Sequence, residues 1–147
     1  MSYLIGVLLA IAIGAFATLT RLDRDRAFYP VVMIVIALLY ALFAAMGNMH
    51  DPLPEIIGIV IFVALAMAGF RRSLWFVVVA LAGHGVFDAF HARLMDNPGV
   101  PTWWPAFCLA YDVMAAGYLA WLLASGRLQS GLRSVAGEPQ RQAVPRG

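Results

Sequence analysis

Apolar residues in this chain come in long runs, interrupted by short polar breaks, and the runs are close to the length that a membrane demands. A helix rises about 1.5 Å per residue, so crossing a hydrocarbon core of about 30 Å takes roughly 20 residues. Five stretches approach or meet that length, at 3–20, 28–47, 54–70, 73–91 and 103–124. The second is free of charge; the third has Glu55 at its mouth; the fourth contains His84 and Asp88; and the fifth contains Asp112. The breaks carry residues that stop helices, notably Asp51-Pro52-Leu53-Pro54 and Asn97-Pro98-Gly99-Val100-Pro101. The pattern predicts an all-α, polytopic membrane bundle of five transmembrane helices over residues 1–125, with short connections and antiparallel neighbours. Residues 126–147 are rich in Gly, Arg, Gln, Ser and Pro without a periodic apolar face, which predicts a disordered basic tail.

Composition strengthens this reading. Of the 147 residues, 63% are hydrophobic and 12% charged, and the mean hydropathy is +0.83. A soluble domain of this size hides only about 70% of its surface, too little to cover so much apolar area, so the lipid bilayer is the expected surrounding. The net charge of +2 does not point to nucleic acid, because the charges flank apolar runs rather than forming a patch.

Charge placement sets an expected orientation. Lysine is absent, so all ten basic residues are arginines. Arg21, Arg24 and Arg26 follow the first run, Arg71 and Arg72 the third, and Arg127, Arg133, Arg141 and Arg146 the fifth; Arg93 alone falls on the other side. The positive-inside rule then predicts an external N-terminus and a cytoplasmic C-terminal tail in a bacterial cytoplasmic membrane. Tyr3, Trp103 and Trp104 become outer interfacial anchors, and Phe28, Tyr29, Trp75 and Trp121 inner ones. Ala15-Phe16-Ala17 has the form of a signal-peptidase site, but no basic residue precedes the first run, and cleavage would leave the Arg21-Arg24-Arg26 cluster outside. An uncleaved helix is therefore expected. Its Gly6, Ala10, Gly14 and Thr18 form a stripe of small residues, suited to packing within the chain or to a homo-oligomer contact.

The candidate chemistry lies in the fourth and fifth runs. At 100° per residue, His84, Asp88 and His91 fall within about 60° of one another on one helix face. Counting down from Trp103 puts Asp112 roughly 13 Å below the outer surface, and His84 is about 10 Å below His91, so the two meet at similar depth. A charged Asp near mid-membrane costs about 2.5–3.5 kcal/mol, which predicts that these groups face the bundle interior and pair, His84 or His91 with Asp88 or Asp112. His50, Asp51, Glu55 and Asp96 belong to the same outer half, which the sequence makes polar and titratable.

Three readings fit the four residues His84, Asp88, His91 and Asp112. Imidazole and carboxylate suit a divalent metal such as Zn²⁺. A carboxylate-oriented histidine suits acid-base catalysis or proton transfer in a membrane-embedded enzyme. A hydrogen-bonded lock between the fourth and fifth helices suits a structural or assembly protein. An outward-facing site could equally take the polar head of a lipid-like substrate. A transporter is the weaker expectation, since no broken-helix pair or inverted repeat is present in the sequence. Cys108, one turn from Asp112, reads as a small apolar packer. Gly83 and Gly85 flank His84 and read as points of close helix approach.

The order His84-x3-Asp88-x2-His91, then Asn97-Pro98, Pro101, Phe107-Cys108 and Asp112, resembles an uncharacterised bacterial family of small multipass membrane proteins, a domain of unknown function. The likeness spans roughly residues 81–121. It departs at Ala92, where a second histidine is expected, and at Trp104-Pro105, where small hydroxyl residues are usual. The resemblance implies a bacterial membrane protein with His84, Asp88, His91 and Asp112 as its polar signature, and no particular substrate.

Overall fold

The computed structural model describes residues 1–128; the tail from 129 to 147, expected to be disordered, lies outside the described residues. Five α-helices and one short 3₁₀ turn make up the fold: α1 Ser2–Thr20, the 3₁₀ turn Leu22–Arg24, α2 Phe28–Met46, α3 Leu53–Arg71, α4 Trp75–Leu94 and α5 Trp104–Ala124. All five α-helices are long and apolar enough to cross a membrane, as the spacing of apolar runs predicts. Much of their apolar surface faces outward, including Leu4, Leu8 and Ile11 of α1 and Val31, Val35 and Leu42 of α2. Such a surface is unsuited to water and natural in lipid, so the chain is an integral membrane protein.

Local sequence explains where the helices begin and end. Pro54 and Pro105 stand in the first turns of α3 and α5, where a missing N–H has no intrahelical acceptor to lose. Arg21 takes a left-handed conformation at the end of α1 (φ 64°), and Asn48 does so just after α2 (φ 50°). With Asn48 in that geometry, Met49 N–H donates back to the Ala44 carbonyl at 3.0 Å and closes the helix.

Packing follows the chain from α2 to α5, each helix lying against the next, with α2 also touching α4. The first helix departs from the expected neighbour order. Its backbone does not come close to that of α2 and instead lies along α5. The two run parallel, since Gly6 meets Phe107 and Ala110 near one end and Gly14 meets Tyr118 further along. Gly6, Ala10, Gly14 and Ala17 are the buried residues of α1. A Cβ at Gly6 would overlap the Phe107 carbonyl oxygen. Thr18 Oγ1 lies 2.7 Å from the Tyr118 hydroxyl and donates to Asp23 Oδ2 at 2.8 Å. The small-residue stripe thus packs within the chain, against α5.

Arg26 Nη2 donates to the Gly69 carbonyl at 3.5 Å, which ties together the start of α2 and the end of α3 at the arginine-rich end. Of the inner anchors expected there, Trp75 and Trp121 are exposed, with the Arg127 guanidinium 4.4 Å above the Trp121 ring. Tyr29, by contrast, is buried in the core: it lies on the α2 stripe Tyr29, Met33, Ile36, Ala37 and Tyr40, which faces the other helices rather than lipid. At the opposite end the α4–α5 loop crosses the end of α2 backbone to backbone. A Cβ on Gly99 would overlap the Phe43 carbonyl oxygen, and one on Gly47 would overlap Gly99 N, so both positions require glycine. This crossing fixes the position of Asn97.

Candidate functional site

The inward face of α4 is one buried stripe: Val77, Ala80 and Leu81, then His84, Asp88 and His91. It begins apolar and turns polar at the middle of the helix. Helix α5 approaches closely at that level, because Gly85 has no side chain; a Cβ there would lie 3.3 Å from Asp112 Cβ and from the Leu109 carbonyl oxygen. The approach brings His84 Nδ1 to 2.7 Å from Asp112 Oδ2, a hydrogen bond donated by the ring N–H to the carboxylate. Both side chains are essentially inaccessible, His84 at 1% and Asp112 at 0% exposure. The interhelical pair expected from depth alone is therefore present.

Two more groups complete this inner cluster. Asp88, one turn along α4, puts Oδ2 at 3.3 Å from the same His84 Nδ1, while its Oδ1 accepts a short hydrogen bond from the Tyr40 hydroxyl of α2. Cys108 Sγ lies 3.7 Å from Asp112 Oδ2, as the donor of a weak hydrogen bond. It borders the charged cluster as well as filling space. One ligand atom from each of His84, Asp88, Cys108 and Asp112 falls within 4.8 Å of all the others. Asp88 Oδ2 and Asp112 Oδ1 are buried without a hydrogen-bond partner. Among the described residues, His84 is the only basic side chain within ion-pair distance of either carboxylate.

His91 belongs elsewhere. It shares the α4 face with His84 and Asp88 but turns to Glu55, its Nε2–H donating to Glu55 Oε1 at 2.7 Å. Asn97 Nδ2 donates to the same Oε1 at 2.8 Å and to the Tyr40 carbonyl at 3.4 Å, and Asn97 Oδ1 accepts from Gly99 N–H at 3.2 Å. Glu55, read from sequence as a residue at the mouth of its span, is only 2% exposed. The four expected residues thus divide into an inner group (His84, Asp88, Asp112) and an outer one built around His91.

Tyr40 joins the two. Its hydroxyl reaches Asp88, its carbonyl accepts from Asn97, and its ring lies 4.5 Å from the His91 ring, centre to centre. Tyr40, Glu55 and Asn97 lie outside the four site residues read from the sequence, although Glu55 stands among the outer titratable groups and Asn97 in the motif. The available signals were a single mid-span tyrosine in the charge-free second run and an acid one residue inside the first turn of the third.

The inner cluster has the donor set of a first-row metal centre: one imidazole nitrogen, one sulfur and two carboxylates. Around a tetrahedral ion with bonds of about 2.0–2.3 Å, ligand atoms stand about 3.5 Å apart, so closure needs inward movement of roughly 1 Å. No family model, curated protein or solved structure matches the chain.

Proposed function

We propose that this membrane protein holds one first-row divalent cation, with Zn²⁺ as the reference ion, between α4 and α5 through His84, Asp88, Cys108 and Asp112. The observation that carries the reading is the pair of buried carboxylates balanced by a single histidine, with Asp112 Oδ1 unpartnered and Asp88 Oδ2 held only by its 3.3 Å ion-pair contact with His84 Nδ1. A protonated imidazole neutralises one carboxylate; a divalent cation neutralises both. In a low-dielectric interior that difference is large, because an uncompensated buried charge is expensive. The cysteine sulfur favours Zn²⁺ and its neighbours over Mg²⁺ or Ca²⁺, which take oxygen donors. The hydrogen atom on His84 Nδ1 occupies the position a metal would take, so binding releases protons and weakens as pH falls.

The His84–Asp112 hydrogen bond favours a second reading, in which the same residues are an interhelical lock without metal. Equilibrium dialysis of detergent-solubilised protein against Zn²⁺ separates the two. The metal reading expects one ion per chain in the wild type and none in Asp112→Ala; the lock expects none in either.

The arginine distribution supports an orientation with the N-terminus outside and the Arg21–Arg26 and Arg71–Arg72 connections in the cytoplasm of a bacterial cell. His91, Glu55 and Asn97 then lie between the cation site and the outer surface. Reporter fusions after Asp51 and after Arg133 should fall on opposite sides of the membrane.

A further inference from the structure

We infer that a divalent cation reaches the buried site through a passage between α2 and α3 in which Glu55 is the receiving carboxylate. The inference rests on the metal-site reading and adds its access route and a residue acting on the ion in transit. Two spaces support it. The first is a groove of about 340 Å³ at the end that carries Arg93 as its one arginine among the described residues, between the last turns of α2 and the first turns of α3, with Ala44, Asn48, Met49, Ile56 and Glu55 among its walls. The second is a small void of about 10 Å³, partly open rather than sealed, bordered by Tyr40, Gly58, Phe62, Phe87 and His84. Glu55 and Ile59 line both. Glu55 therefore has the open groove on one side and, on the other, a space that ends on the His84 ring.

The chemistry along this line suits a cation. His50, Asp51 and Asp96 surround an adjoining surface hollow, which shares Met49 with the groove, and all three are exposed. The Asp51 and Asp96 carboxylates raise the local concentration of cations at the mouth. Glu55 then offers an oxygen donor, oriented because Oε1 already accepts from His91 and Asn97. The inner void is at the lower limit for a single water, so an ion crosses it stripped of its shell. The Glu55 carboxylate, the Tyr40 hydroxyl and then the Asp88 carboxylate replace the lost water oxygens in turn, as protein oxygens do in ion-selective pores. His91, paired to Glu55, gives the carboxylate a partner when no ion is present, so the receiving group does not stand buried and unbalanced between arrivals.

Gly58 offers a mild way to obstruct the passage. A Cβ added there meets only Phe87 Cζ, at 3.8 Å, an ordinary contact that leaves the fold undisturbed while adding a methyl group beside the void. The test is stopped-flow loading of metal-free, full-length protein with Zn²⁺, together with its equilibrium stoichiometry, for wild type, Glu55→Gln, Gly58→Ala and a control, Gly117→Ala, which lies on α5 with open space around it. Glu55→Gln and Gly58→Ala should each slow loading by about tenfold, the change that about 1.4 kcal/mol of added barrier produces, and should slow release equally. Equilibrium binding should stay at one ion per chain in both, with the control unchanged throughout. Unaltered rates in Glu55→Gln and Gly58→Ala would overturn the passage. Loss of equilibrium binding in Glu55→Gln, with Gly58→Ala loading at the wild-type rate, would also overturn it, by making Glu55 part of the resting site. Failure of the wild type to bind Zn²⁺ at all would instead remove the metal site on which the passage rests.

Discussion

Helix α5 is held on two sides by different physics. Against α1 the contact is one of shape: small residues let two parallel backbones approach, Gly6 under Phe107 and Gly14 under Tyr118, with one hydroxyl pair between Thr18 and Tyr118. Against α4 a glycine again permits the approach, at Gly85, but what meets there is His84, Asp88, Cys108 and Asp112. Lipid offers no hydrophobic drive for helices to associate, so close packing of small residues is sufficient glue, as the α1 seam illustrates. The α4 seam carries two carboxylates, at about 2.5–3.5 kcal/mol each on insertion scales, and leaves one oxygen of each without a hydrogen bond. A seam needed only for adhesion could be built like the first. The polar one is therefore the place to look for function.

The sharpest way to break this comparison is to disarm the polar seam in two manners. Removing only the imidazole, with His84→Ala, strands both carboxylates in the interior and should destabilise the metal-free protein by about 3–5 kcal/mol. Replacing the whole set, with His84→Leu, Asp88→Leu and Asp112→Leu together, should leave stability level or raise it by about 1–4 kcal/mol while Zn²⁺ binding disappears. Thermal unfolding in detergent reads both. A His84→Ala protein as stable as the wild type would mean that the carboxylates are not buried together.

A smaller effect distinguishes the seams by their tolerance of one methyl group. Gly6→Ala drives a Cβ into the Phe107 backbone carbonyl and should cost about 1–3 kcal/mol with metal binding retained. Gly85→Ala meets its neighbours at 3.3 Å, a tight but yielding contact, and should cost about 1 kcal/mol or less. Its consequence belongs to the site: by easing α5 away from α4 it should weaken Zn²⁺ binding, which Gly6→Ala should not do. Equal binding in the two variants would contradict the distinction.

The five spans and their lengths were legible because a hydrocarbon slab imposes one length on every helix, and the apolar runs declare it. The inward face of α4 was legible for a similar reason, since His84, Asp88 and His91 repeat at helical spacing, and depth counted along each span brought Asp112 to the level of His84. The remaining features depend on lateral arrangement, which periodicity does not encode. Nothing local tells α1 to pack on α5 rather than on α2, its neighbour in the chain. Glu55 resembles a boundary residue until the Asn97 to Pro101 loop folds across the end of α2 and encloses it. Tyr40 gives no pattern at all; its role comes from lying opposite both Asp88 and His91. Helical spacing put His84, Asp88 and His91 on one face, but the partner of His91 is Glu55 rather than Asp88 or Asp112.

Whether the four inner side chains act together on one ion is most directly read from the absorption spectrum of the protein loaded with Co²⁺. Coordination by Cys108 gives a thiolate-to-cobalt charge-transfer band, and low-symmetry four-coordination gives intense visible bands; Cys108→Ser should lose the first and keep the second, while Asp112→Ala should lose both. A Co²⁺ spectrum like that of the hydrated ion in the wild type, or a wild-type spectrum undisturbed by Cys108→Ser and Asp112→Ala, would contradict the assignment.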